Sequence, residues 1–294
     1  MMTSRELLRG VVDLHIHAGP SIAKREVDAA EMLNEAVSSG YRGFVVKDHY
    51  FPTMMSATLV EKHLGKSGVR VFGGIALNNS VGGINVKAVD AACGMGAKFV
   101  WMPTVSTRNH VEMHKGHFPG SGPMSIPEQL ITYVDDKGQL DPKVIDVLTY
   151  LAQRKDVILG TGHGSLREID ALVCKAVELK VSKILVNHPF FLVGAAYSDM
   201  ARWAKLGAYI ELNAGVFAAA SRIGEIPIDV AAKVLEHVPM EQIVIDSDLG
   251  QRGSWNPVDG LARFFQALMR DAHVTEEQID MMAKDTPTRL AGLL

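Results

Sequence analysis

Short apolar runs alternate with amphipathic stretches along the chain, and eight such pairs can be counted. The runs are residues 11–17, 43–49, 70–77, 98–103, 157–161, 183–187, 208–212 and 242–247. Each is rich in Val, Ile, Phe or Leu, as parallel strands buried on both faces are. The stretches between them read as helices. Residues 28–39 carry apolar positions at helical spacing and stop at Gly40, a residue suited to a left-handed helix stop. Asp141-Pro142 opens another helix, with proline where its missing N–H costs nothing. Ser165 with Glu168 forms a capping box, and Thr275 with Gln278 repeats it. Alternation of this kind predicts a parallel sheet, and eight units in sequence favour closure into a (β/α)8 TIM barrel.

Two segments break the rhythm. Residues 104–140 hold three His, four Gly and three Pro without a clear helical pattern, which suggests a functional loop or lid. From Thr275 the chain is expected to form a C-terminal helical extension (275–294) of one domain spanning 1–294.

Composition narrows the function classes. A chain of 294 residues with 47% hydrophobic and 21% charged residues can bury a large core. A formal charge of -3 gives no electrostatic case for nucleic acid or an anionic membrane surface. Two cysteines do not make a disulfide framework. With no apolar signal core at the N-terminus and no run of ~18 apolar residues, a cytoplasmic protein is expected. Its expected partners are a small-molecule substrate and, optionally, further copies of itself. No GxGxxG opens a helix after the first strand, which argues against a dinucleotide site.

The chemistry begins at Asp13-Leu14-His15-Ile16-His17. Alternate residues of a strand share a face, so His15 and His17 point the same way, ~7 Å apart at Cα. Two imidazoles at that spacing can converge on one ion at ~2.0–2.1 Å. The pair stands at the C-terminal end of its strand, where barrel enzymes keep their active sites. His163 follows the fifth run, His188 the sixth, and Asp246 and Asp248 the eighth. Unrelated core histidines would explain any one of these, but four histidines and a carboxylate at one rim point to a metal site.

With those residues in place, the sequence resembles the amidohydrolase superfamily, a (β/α)8 barrel with His-x-His on strand one. The resemblance also covers a His after strand five (His163), a His after strand six (His188) and an Asp after strand eight (Asp248). The ending Asp285-Thr286-Pro287-Thr288-Arg289-Leu290 is similar to that family's usual Asn-Pro-Ala-Arg-Leu. The resemblance implies Asp248 as metal ligand and as the general acid/base that relays a proton to the leaving group. It implies a metal-activated hydroxide attacking a small amide, cyclic amide or lactone, with C–N bonds other than peptide bonds favoured by family frequency. The metal is expected to be zinc, as one or two ions, with manganese, iron and nickel as alternatives.

The sequence departs from the family at strand four, which lacks the bridging carboxylated Lys or Glu of binuclear members. Strand two instead offers Lys47 and His49. Both can face the interior, His49 as an added ligand and Lys47, if carboxylated, as a bridge between two metals. Lys47-Asp48-His49 also resembles the polymerase-and-histidinol-phosphatase family, which makes a phosphoesterase one alternative. A metal-dependent decarboxylase is another. Polar residues at other strand ends are substrate-binding candidates: Asn78, Thr104, Glu211 and Asn213, with Arg108 as a clamp for an anionic group. Asp246 reads as a group that orients a ligand. His110, His114 and His117 read as lid histidines, with a pocket role second.

Overall fold

The computed structural model describes residues 6–65, 68–114, 118 and 120–293. Eight strands are present: β1 (Val12–Ile16), β2 (Gly43–Val46), β3 (Arg70–Ala76), β4 (Phe99–Trp101), β5 (Ile158–Gly160), β6 (Ile184–Val186), β7 (Tyr209–Asn213) and β8 (Ile243–Asp246). They pair in parallel in sequence order from β1 to β8. Closure comes from a parallel bridge between Ile16 and Leu249. The Asp248 N–H donates to the His15 carbonyl (2.7 Å) and the His17 N–H to the Leu249 carbonyl (2.8 Å).

The helices that wrap the barrel are α1 (Ala29–Ser38), α2 (Met54–Leu64), α3 (Val86–Gly94), α4 (Arg108–Met113), α5 (Pro142–Leu151), α6 (Leu166–Glu178), α7 (Tyr197–Lys205), α8 (Asp229–His237) and α9 (Pro257–Asp271). Their starts follow local chemistry. Asp28 and Glu31 form a reciprocal capping box at α1, and at α6 Ser165 donates both its N–H and its hydroxyl to Glu168 Oε2. Glu168 has a second use: its Oε1 accepts the Tyr133 N–H, which ties the long 104–140 connection to α6. The Tyr133 hydroxyl reaches the carbonyls of Pro103 (2.8 Å) and Thr161 (3.0 Å).

The C-terminal extension comprises α10 (Glu276–Asp280), a π-helical turn at Met281–Asp285 and α11 (Thr286–Ala291). Leu290 and Ala291 join the interior cluster with Val12, Leu14 and Val244. Helix α11 therefore seals the N-terminal mouth of the barrel and leaves the C-terminal mouth for chemistry. The larger apolar cluster lies between strands and helices, and includes Ile16, Phe44 and Val46.

The interior at β4 is filled by Trp101, stacked on Phe99 with ring centroids 4.1 Å apart. Two glycines make its seat. A methyl group on Gly74 would come within 2.6 Å of Trp101 Cζ3, and one on Gly160 within 2.6 Å of Phe99 Cε1 while also striking Trp101. The indole thus fills the barrel interior at β4. We expect Gly160→Ala to destabilise the fold by about 1–3 kcal/mol through overpacking. The check is the urea midpoint; an unchanged midpoint would show that Trp101 has room to shift.

Candidate metal centre

The two histidines of β1 face the interior because the strand is irregular. Asp13 pairs with Phe44 but Ile16 pairs with Val46, so β1 carries one extra residue between those partners. Val12 and Leu14 pack in the interior, while Ile16 faces the helices. The bulge thus turns His15 inward after Leu14, and His17 follows it. Gly250 lets the backbone close over this strand end: it sits at φ +111°, and a side chain there would strike the His17 carbonyl. His188 (φ +44°) and Asp248 (φ +46°) both adopt the left-handed conformation that non-glycine residues avoid. That backbone cost is incurred where it turns both side chains over the barrel mouth.

Five imidazoles form a closed ring at that mouth. Centroid separations are 5.2 Å for His15–His17, 4.9 Å for His17–His49, 5.9 Å for His49–His163, 5.2 Å for His163–His188 and 5.3 Å for His188–His15. All five are buried. Asp248 sits among them, with Oδ1 3.0 Å from Nε2 of both His15 and His17, and Oδ2 3.6 Å from His188 Nε2. Lys47, just past β2, is fully buried and places Nζ 2.8 Å from His15 Nε2 and 5.4 Å from the Trp101 ring centroid.

This donor set fits a divalent cation. His15, His17 and Asp248 present ligand atoms within 4.8 Å of one another. Glu211 Oε1 lies 2.8 Å from His15 Nδ1, so a proton on that nitrogen would leave Nε2 to a cation. The other oxygen of Glu211 lies 3.0 Å from His188 Nδ1 and accepts the His188 backbone N–H, also at 3.0 Å. His163 Nε2 and His17 Nδ1 are buried without a hydrogen-bond partner among the described residues. Burial pushes His17, His49 and His163 well below the ordinary imidazole range, so they stay neutral as ligands must be. Burial would raise Asp248, but His15 and His188 outweigh it and hold the carboxyl well down.

The four strand-end residues expected to contact substrate hydrogen-bond to groups of the site. Glu211 is fully buried against His15, His188 and Asn187. Asn213 donates to Asp248 Oδ2 at 2.7 Å. Thr104 Oγ1 meets His49 Nδ1 at 2.9 Å, and Asn78 donates to that Thr104 oxygen and to the His49 carbonyl. Arg108 does not approach the site. It lies on the exposed side of α4, 3.9 Å from Glu112. Asp246 is fully buried, and burial, then Glu211, pushes its carboxyl well up, so it stays neutral.

Above the ring lies a cavity of about 410 Å³. Its floor is His17, Lys47, His163, His188 and Asp248, and its walls include Met113, Phe118, Phe191, Leu192, Val216 and Ile223. Met113 and Phe118 belong to the 104–140 segment expected to be a functional loop or lid, and the other four come from connections with no distinguishing motif. His110 and His114 line the same cavity, so their pocket placement is the one found; His117 lies outside the described residues.

These buried groups set a pH dependence for the metal-free fold. His17, His49, His110 and His163 are held below 6.5 by burial first, so below that pH the unfolded chain takes four protons that the fold refuses. Asp13, raised to about 6 by burial, and Asp246 act in the opposite sense and offset two. Four groups against two predict that stability falls on acidification between pH 6 and 4.5. Urea midpoints across that window check it; a flat or rising profile on acidification would contradict it.

Comparison with solved structures places this barrel among known ones. An amidohydrolase from Pseudomonas aeruginosa matches with a TM-score of 0.67 at 12% identity, covering 99% of this chain and 98% of that one. A lactonase from Listeria monocytogenes matches with 0.59 at 13%, covering 98% and 96%. An organophosphorus hydrolase from Deinococcus radiodurans matches with 0.55 at 14%, covering 99% and 94%. At these identities the likeness is one of fold. No curated protein matches the chain. The model described as "Family of unknown function (DUF6282)" matches residues 10–211, which include every histidine of the ring, and the chain belongs to that family.

Proposed function

We propose that this protein is a metal-dependent hydrolase of the amidohydrolase type, acting at the carbonyl of a small amide, cyclic amide or lactone. The observation that carries the reading is the closed ring of five buried imidazoles around Asp248. A divalent metal, zinc by preference for an imidazole-rich set, would be held by His15, His17, His163, His188 and Asp248, with His49 as a further donor. When bound, it acts as a Lewis acid and makes water acidic enough to attack at neutral pH.

The chain's own groups do the rest. Asp248 lies on the cavity floor as a carboxylate, so it can take a proton from the attacking water and pass it to the departing nitrogen or oxygen. Asn213 holds its Oδ2, which fixes the direction of that transfer. Lys47 is an amine whose burial favours the neutral form. Neutral amines react with carbon dioxide to give a carbamate and a proton. Lys47 so modified would supply the anionic bridge that strand four lacks.

The cavity favours a carbonyl substrate over a phosphate ester. Its walls are mostly apolar, and among the described residues no arginine lines it. An uncharged substrate loses little on entering such a site, whereas a phosphate would bring its charge into a cavity with no arginine to pair it.

A panel of lactones, lactams, imides and hydantoins tests the reading with zinc-loaded protein. We expect turnover of at least one class, abolished by chelation and restored by metal. Asp248→Asn should lower kcat/KM by roughly 10²–10⁴-fold. Cleavage of phosphate monoesters with no turnover of any carbonyl substrate would overturn the assignment.

A further inference from the structure

Helix α4 is only six residues long, yet its first turn is fastened to His163. The Thr107 hydroxyl donates to the His163 carbonyl at 2.9 Å and accepts the His110 N–H at 3.1 Å. Asn109 Nδ2 donates to the same His163 carbonyl at 3.1 Å and to the Leu192 carbonyl at 3.0 Å. His110 lies against the His163 ring, centroids 5.0 Å apart and planes 26° from parallel, with the two Nδ1 atoms 3.0 Å apart. Its other contacts are His114, stacked at 4.4 Å, and the edge of Phe118 at 4.7 Å. His110 is therefore wedged in place, with its Nδ1 aimed at His163.

An Nδ1–Nδ1 pair at 3.0 Å needs one proton between the two nitrogens. Which ring carries it follows from the metal reading, on which this inference rests. His163 Nε2 is buried, lacks a hydrogen-bond partner among the described residues, and belongs to a ring packed against His188 and His49. For that nitrogen to offer its lone pair to a cation, the His163 proton must sit on Nδ1. His110 Nδ1 is then the acceptor. A neutral His110 carries its own proton on Nε2, the edge opposite His163, and His110 lines the cavity.

We propose that His110 is the positioning residue for His163: by accepting the Nδ1 proton it holds Nε2 open toward the ion, and in doing so it presents its own Nε2–H to the cavity. Ligating histidines commonly donate their second nitrogen to a carboxylate, a carbonyl or water. Here another imidazole takes that place, and it conveys the tautomer required at the metal to a hydrogen-bond donor in the cavity. A carbonyl or leaving-group oxygen in the cavity is the natural acceptor.

Cobalt titration followed by its visible absorption, together with nitrogen-15 spectra of the zinc-loaded protein, tests this without a substrate. In the wild type we expect the Nδ1–H form of His163 and the Nε2–H form of His110. His110→Phe keeps the ring packing but removes the acceptor, and should weaken cobalt binding by roughly 10–100-fold. His110→Asn places an amide oxygen near the former Nδ1 and should restore most of the affinity. The opposite tautomers, or equal affinity in wild type and His110→Phe, would overturn the proposal alone. A wild type that takes up no metal would remove the metal reading and this proposal together.

Discussion

The structure depends on the cost of burying imidazoles beside a carboxylate. Five histidines and Asp248 share a site largely closed to water, and burial opposes charge on nearly all of them. A cluster of that kind is poor material for stability. His163 Nε2 makes no hydrogen bond among the described residues, and Asp248 Oδ1 lies 3.0 Å from Nε2 of both His15 and His17. A cation would give such groups bonds, since neutral imidazole nitrogens and a carboxylate are what a divalent metal takes. The fold supports the cluster from outside: Glu211 beneath His15 and His188, Thr104 and Asn78 behind His49, and α4 behind His163.

Much of the fold was legible because burial on both faces leaves a plain signature. All eight strands lie on the apolar runs, with ends shifted by a few residues, and the capping pairs at Ser165 and Thr275 mark helix starts. The histidines were legible because each stands at a strand end and their side chain has few other uses in such numbers. The bulge in β1 was not. Strict alternation puts His15 on the face opposite Leu14, yet one extra residue brings both inward. Such a residue leaves no mark in composition.

The roles of the polar strand-end residues could not be read from position. Asn78, Thr104, Glu211 and Asn213 stand where a substrate-binding residue would stand, and each is hydrogen-bonded to a residue of the site. A strand end fixes a side chain's direction but not its depth, and depth separates a group that touches substrate from one that orients a ligand. Arg108 lies on the side of α4 turned to solvent, while His110 is turned inward. The cavity walls come from connections whose shape depends on packing, which no short motif records.

The central claim is that a metal binds within the histidine ring. Anomalous diffraction at the zinc edge from crystals grown with zinc tests it directly. The account predicts one or two strong peaks within about 2.0–2.2 Å of ligand atoms from His15, His17, His163, His188 or Asp248. A well-ordered site with those side chains in place and no anomalous peak among them would contradict it.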